Sequence, residues 1–296
     1  MRNMNRKMRT TLKLVVLYSL SAIVLVWALS PVFWIVISSI STRTELLSRP
    51  YKHWIPHRPT LQNFIDVVTV GQRYRAGGIL PTAMLLLSGL RNTLIISLST
   101  AFLITSMATV VGYCFARLNF RGKNFLFFFI MLMMPLPIWV SIVSLYYLLA
   151  HIGLIDTNLG LILILSTLSI PLAVWLMITF VRDTPRELEE AALMDGATRW
   201  QMIRRVVVPI TMPGITSVFL VTFLNTWNSF LIPLIFTNTA RSQTITVVLS
   251  LFVGQYEVAW EQMAAATVLI MIPPIVLALF FQKYLIRGLT LGAVKG

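Results

Sequence analysis

The 24 basic and 10 acidic residues of this 296-residue chain cluster in short intervals, and six stretches between them carry no charge at all. They are residues 14–40, 92–116, 124–149, 159–181, 206–236 and 262–282, which are 27, 25, 26, 23, 31 and 21 residues long. A helix rises about 1.5 Å per residue and the hydrocarbon core of a bilayer is about 30 Å thick, so roughly 20 apolar residues suffice to cross it. All six runs qualify. Inside lipid they are expected to be helices, because an isolated strand or coil leaves its N–H and C=O groups without partners. The runs are continuously apolar rather than alternating, which excludes a β-barrel. The chain is 57% hydrophobic and 11% charged, with a mean hydropathy of +0.82. A soluble domain averages about 25% charged residues, and a disordered chain needs low hydrophobicity, so both classes are excluded.

The expected fold is therefore an all-α integral membrane protein of six transmembrane helices, forming one permease-like domain over residues 1–296. The net charge of +14 belongs to span ends rather than to a nucleic-acid surface. With the N-terminus placed in the cytoplasm, 16 of the 24 Lys and Arg residues fall on inside segments. That bias puts both termini inside. Seven of the other eight lie between Arg43 and Arg91, in a long loop that crosses despite its charge. The first run exceeds the 7–15 apolar residues of a signal peptide, and Ala28 and Ser30 stand directly before Pro31. It reads as an uncleaved first span.

Within the first outer loop Thr60 is placed to cap a short helix over 61–70, with Leu61, Phe64, Ile65 and Val68 on one apolar face that is expected to lie on the membrane surface or against another subunit. Residues 79–90 are apolar but too short to span, and read as an interfacial lead-in. Loop 150–158 is short, so spans three and four are neighbours. Nine of the 14 prolines lie inside the runs: Pro31, Pro135, Pro137, Pro171, Pro209, Pro213, Pro233, Pro273 and Pro274. Each removes a helical hydrogen bond, so kinks are expected.

Several chemistries are missing from the sequence. There is no GxxxxGK[ST] phosphate loop, no GxSxG and no HExxH. Cys114 is the single cysteine, and His53, His57 and His151 do not stand at ligand spacing. No Asp, Glu, Lys or Arg lies within a run, which argues against a proton-driven pump. A membrane-embedded enzyme is disfavoured for the same lack of a catalytic constellation.

One inside loop, residues 182–205, reads RDTPRELEEAALMDGATRWQMIRR. Thr184 before Pro185, with Glu187 at the third helical position, has the pattern of a capping box. Leu188, Ala191 and Ala192 share one face, with Glu187 and Glu190 directed elsewhere. Gly196 stands where a helix ends in a left-handed turn, and Thr198 is placed to cap a second helix entering the fifth run. The expected product is a helix, a sharp turn and a second helix, lying along the membrane surface.

Glu190-Ala191-Ala192, then Gly196, then Val206-Val207-Val208-Pro209 resembles the EAA–G–I–LP signature of binding-protein-dependent ABC importer permeases, with Val206 for Ile and Val208 for Leu. The run 112–123 resembles the second cytoplasmic turn of the carbohydrate type, 225–234 resembles its fifth span, and 288–296 resembles the C-terminus of the maltose-type G-subunit family. The resemblance implies a type I importer permease in the cytoplasmic (inner) membrane of a prokaryote. It implies a multi-pass chain paired with a second permease subunit, two cytoplasmic ATPase subunits and an extracytoplasmic substrate-binding protein, with no nucleic acid. It implies that Glu190, Ala191, Ala192, Gly196 and Pro209 couple the spans to the ATPase, and that Gly292, Val294, Lys295 and Gly296 reach between the ATPases. ATP and Mg would be used by those partners, with no cofactor, metal or catalytic residue on this chain. Asn225, Trp227 and Asn228 place two amides and an indole in the fifth span, a set suited to a neutral, hydroxyl-rich cargo such as a sugar or polyol. Interhelical hydrogen bonding is the competing role for them. Permeases for other nutrients, and a facilitator that needs no ATPase, are the alternative functions.

Overall fold

The computed structural model describes residues 2–48, 54–69, 82–253 and 259–293. The chain divides into two units, Met1–Met84 with Leu251–Ile270, and Leu85–Ser250 with Met271–Gly296. Among the described residues, five helices are long and apolar enough to cross a membrane.

In the first unit, α1 (Arg2–Ser39) supplies the first of these five. Residues 12–31 are exposed on every face of the helix. A helix that is apolar all round has lipid or another protein as its solvent. Its C-terminal carbonyls are closed by Asn63, a buried residue whose Nδ2 donates to the carbonyls of Ser39 and Ser41, each at 2.9 Å. A five-residue helix, α2 (Arg43–Leu47), follows, and its Glu45 carboxylate accepts from the backbone N–H of His57 and Arg58.

The helix expected over 61–70 is present as α3 (Gln62–Thr69), with Thr60 Oγ1 accepting from Gln62 N at 3.1 Å. Its apolar stripe turns away from the rest of the chain. Asn63 and Val67 point inward, while Leu61, Ile65 and Val68 are exposed. The need to close α1's carbonyls sets the phase of α3, and the apolar stripe turns outward.

In the second unit, α4 (Thr82–Arg117), α7 (Asn158–Arg182) and α10 (Val208–Trp227) form the core. Of the lead-in expected at 79–90, the described residues 82–90 are continuous with the second span. After Pro81 nothing interrupts the helix, and Arg91 sits on an exposed face, so those residues are simply the first turns of α4. Ile104, Ala108 and Phe115 of α4 pack on Ala173, Val174, Met177 and Ile178 of α7 and on Val218 of α10. Small residues bring the backbones close. A Cβ added at Gly112 would lie 2.6 Å from Met177 Cβ, and one at Gly214 would collide with the Phe180 ring.

The third apolar run is not one continuous helix. It forms α5 (Lys123–Leu132) and α6 (Ile142–His151), ten residues each, separated by a 3-10 turn at Ile138–Val140. Ten residues reach about 15 Å, half the hydrocarbon thickness. Pro135 and Pro137, which both lack the N–H a helix needs, lie in the segment between the two. Irregular backbone at such a depth occurs where protein or a water-filled cavity covers it, not against lipid. As expected of neighbours, α6 and α7 pack through Leu149 and Leu161.

The fifth run is also shorter as a helix than as a sequence pattern. α10 ends at Trp227, and α11 (Leu231–Phe236) is a separate turn and a half. A further short helix, α12 (Ile245–Ser250), and the long α13 (Trp260–Ala293) complete the chain.

Candidate functional site

The polar loop after α7 folds as α8 (Glu187–Met194), a tight turn, and α9 (Arg199–Met202). The turn is a full Schellman closure. Gly196 N donates to Leu193 O and Ala197 N to Ala192 O, at 3.1 Å each, and Gly196 has φ of 84°. That left-handed geometry is open to glycine and costs another residue about 1–2 kcal/mol. Thr198 closes α9 with a reciprocal box, in which Thr198 Oγ1 accepts from Gln201 N and Gln201 Oε1 accepts from Thr198 N. From α9 the chain passes through a five-residue π-turn, Ile203–Val207, into α10, with Pro209 in its first turn.

The capping box expected at Thr184 and Glu187 is absent. Thr184 Oγ1 donates backwards to Phe180 O at 3.2 Å, and Thr184 N donates to Val181 O. Thr184 therefore finishes α7 rather than starting α8. The face of α8 that carries Leu188 and Ala191 turns away from the rest of the chain. Leu188 and Ala191 are exposed, Ala192 is half-buried, and the inward residue is Glu189.

Glu189 is held by Arg117, the last residue of α4. Arg117 Nε donates to Glu189 Oε1 at 2.6 Å, with the two side chains 7% and 10% exposed. Arg117 Nη2 donates to Thr184 O at 2.7 Å, and Tyr113 OH, one turn back on α4, donates to Glu189 Oε2 at 3.3 Å. One guanidinium thus joins α4, the exit of α7 and α8. The sequence reading missed this clamp. Five acids lie between residues 183 and 195, and only the helical phase of α8 selects Glu189. The opposite side of the elbow is open: Glu190 is exposed, and Leu188, Met194 and Trp200 are 44%, 88% and 70% exposed.

A second carboxylate clamp lies at the other end of α7. Asp156, at φ 56°, accepts from Asn238 N, Thr239 N, Thr239 Oγ1 and Ser242 Oγ at 2.9, 3.1, 2.6 and 2.5 Å. Burial raises the pKa of this group, but those hydrogen bonds outweigh it and hold the carboxyl down at about 2. Nearby, Asn92 Nδ2 donates to the carbonyls of Ala240 and Gln243, so the loop after α11 is fixed to both α4 and α7.

Between α7 and α10 lies a cavity of about 250 Å³. Ser169, Thr222, Asn225, Thr226 and Ser229 give it a polar wall, and leucines, valine, alanine and isoleucine give the rest. Thr226 Oγ1 is buried with no hydrogen-bond partner. The three residues singled out in the fifth span separate here. Asn225 lines the cavity. Trp227 is buried against Phe223, with ring centroids 5.4 Å apart. Asn228 caps the end of α10, where its Nδ2 donates to Leu224 O. At the C-terminus Gly292 falls in the last turn of α13, and Val294, Lys295 and Gly296 lie outside the described residues.

Several apolar spans, an uncharged cavity between two of them and a capped elbow with an exposed apolar face are the features of a membrane permease. The chain belongs to the family of binding-protein-dependent transport system inner membrane components, whose model matches residues 108–291. It is 30% identical to the sulfoquinovosyl glycerol transport system permease protein SmoH of Agrobacterium fabrum, over 93% of this chain and 92% of that one. It is 34% identical to the trehalose transport system permease protein SugB of Mycobacterium tuberculosis, over 94% and 96%. With the trehalose/maltose transport system permease protein MalG of Thermococcus litoralis the identity is 28%, over 90% and 92%. A solved bacterial ABC transporter involved in the import of alginate shares the fold at a TM-score of 0.69 and 20% identity, over 92% of this chain and 95% of that chain. The fold is that of a type I ABC importer permease, and the chain is a transmembrane subunit of such an importer.

Proposed function

We propose that this subunit is one half of a permease pair that moves a sugar or related polyol inward by alternating access, driven by two cytoplasmic ATPase subunits, one of which seats on α8. A soluble binding protein delivers the cargo on the outer side. Both termini lie in the cytoplasm, and ATP and Mg are consumed by the ATPases, not by this chain. The observation that carries the reading is the open face of the elbow. Leu188, Met194 and Trp200 project from a segment otherwise rich in charge. Exposed apolar side chains rimmed by charge mark a protein interface, and Glu190 beside them supplies a carboxylate for a basic partner.

The cargo assignment rests on the relatives and on the cavity. Trehalose and maltose, for which two of the relatives are named, are neutral and rich in hydroxyls. A cavity with five hydroxyl or amide side chains and no charge suits such a molecule, and the unpartnered Thr226 hydroxyl is one hydrogen bond that a cargo would complete. Asn225, the amide in the cavity wall, is the side chain that would read it.

The test is affinity purification from the native host after gentle solubilisation, with Glu190→Lys as the control. Wild type brings down an ATPase and a second permease, while the membrane-inserted variant keeps the second permease and loses the ATPase. Equal ATPase recovery with both proteins overturns the seating of α8.

A further inference from the structure

Two routes connect α8 to the spans. The covalent route runs through the Gly196 turn, α9 and the π-turn Ile203–Val207 into α10. π-Turns are single irregular turns that concentrate at functional sites, and Pro209 removes a further backbone donor just beyond this one. It is the compliant route. The other route is the buried clamp. Arg117 is tied at once to Glu189 of α8 and to the carbonyl of Thr184 at the exit of α7. Charge-assisted hydrogen bonds of this kind are about twice as strong as neutral ones and fix direction as well as distance. Behind Arg117, α4 is seated on α7 at Gly112 and Met177 with no space for even a methyl group. A displacement of α8 that reaches Arg117 is therefore passed to α4 and α7 as one body.

We propose that Arg117 and Glu189 are positioning residues for transport: the pair is the strut by which movement of α8 is imposed on the ends of α4 and α7, while the π-turn lets α10 follow at a different angle. This rests on the reading that α8 seats on an ATPase. The strut requires both charged partners, because neither Tyr113 alone nor the covalent route holds α8 at a fixed distance from α4.

Cys114, the single cysteine, is half-buried on α4, three residues before Arg117, and serves as a native reporter. The experiment uses the full complex in lipid vesicles. It measures the rate at which a maleimide labels Cys114, with and without ATP plus vanadate, beside the rate of ATP hydrolysis. Thiols of the partner subunits are replaced beforehand. Wild type is expected to show a nucleotide-dependent change in labelling rate on the order of tenfold, inside the roughly 5- to 150-fold range of allosteric couplings. Arg117→Met combined with Glu189→Met removes both charges together, a replacement that buried pairs commonly tolerate. That variant is expected to assemble and hydrolyse ATP while the labelling ratio falls to about one. The exchange Arg117→Glu with Glu189→Arg restores most of the ratio.

An assembled double-methionine variant that keeps the wild-type ratio overturns the strut. So does a wild-type complex whose Cys114 ignores nucleotide, or an exchange variant that hydrolyses ATP yet stays at a ratio of one. Failure of any ATPase to join the wild-type complex overturns instead the reading on which the strut rests. If the double-methionine variant does not assemble, Arg117→Lys decides. It keeps the charge but cannot span Glu189 and Thr184 together, so its ratio must fall below wild type, and an unchanged ratio overturns the proposal.

Discussion

The two ends of α7 are each secured by one carboxylate, and they are secured differently. Beyond its N-terminus, Asp156 gathers four neutral donors from a single loop and remains in partial contact with water. Beyond its C-terminus, Glu189 is nearly sealed, and its partner is a full positive charge that belongs to another helix. The first arrangement pins a loop locally and loses little when the charge is removed, because water replaces part of what is lost. The second joins three elements, and neither ion tolerates being left alone. A loop that only has to stay in place is held by dipoles. The elbow, which has to carry a load between helices, is held by ions.

The largest effect that separates the two ends is expected at Arg117. Arg117→Ala strands a carboxylate that is 10% exposed, and breaking a buried pair from one side costs about 3–5 kcal/mol. Thermal unfolding of the detergent-solubilised protein is expected to drop accordingly, or the folded yield to collapse. The paired replacement by two methionines returns stability close to wild type. A single truncation that unfolds no earlier than wild type removes the distinction between the two ends.

Much of this was legible in the sequence, for one reason. Lipid forbids unpaired backbone, so a charge-free run of sufficient length has few options, and α1, α4, α7, α10 and α13 follow from that. The turn at Gly196 and the cap at Thr198 were legible too, because they are local chemistry between residues two to five apart. The features that were not legible depend on pairing across distance. Glu189 and Arg117 are 72 residues apart, and nothing in the local pattern of α8 shows the guanidinium waiting opposite Glu189. Asn63 closing the end of α1 is likewise a pairing across distance. The break between α5 and α6 was not legible from proline content alone: α13 runs unbroken through Pro273 and Pro274, whereas α5 stops before Pro135 and Pro137.

The second effect lies within the elbow. Gly196→Val is expected to cost about 1–2 kcal/mol through the left-handed backbone alone, since no atom lies within 4 Å of the added Cβ. Gly196→Asn, which tolerates that conformation better, is expected to lose less. Because the strain falls on the angle between α8 and α9, ATPase recovery in the purification should decline in the same order, Gly then Asn then Val. Valine and asparagine variants that behave alike point to a steric neighbour in the assembled complex instead of a backbone requirement.

The smallest effect is expected at the other end of α7, and pH isolates it. Asp156→Asn keeps a residue that accepts positive φ and removes the charge with one of the two acceptor oxygens, for about 1 kcal/mol at neutral pH once the partial exposure of the group is allowed for. The folded carboxyl titrates at about 2, against about 3.9 for an unperturbed aspartate. A depressed pKa means that the contribution is complete above the unfolded value and lost as pH falls through the folded one. The gap between wild type and Asp156→Asn is therefore expected to be constant from neutral pH to about 5, to narrow between about 4 and 2, and to close below. Measured as a difference in unfolding temperature at each pH, it cancels the other carboxylates common to both proteins. A gap that persists unchanged at pH 2 assigns the loss to the shape of the side chain rather than to its charge, and the two ends of α7 then no longer differ in the way their chemistry indicates.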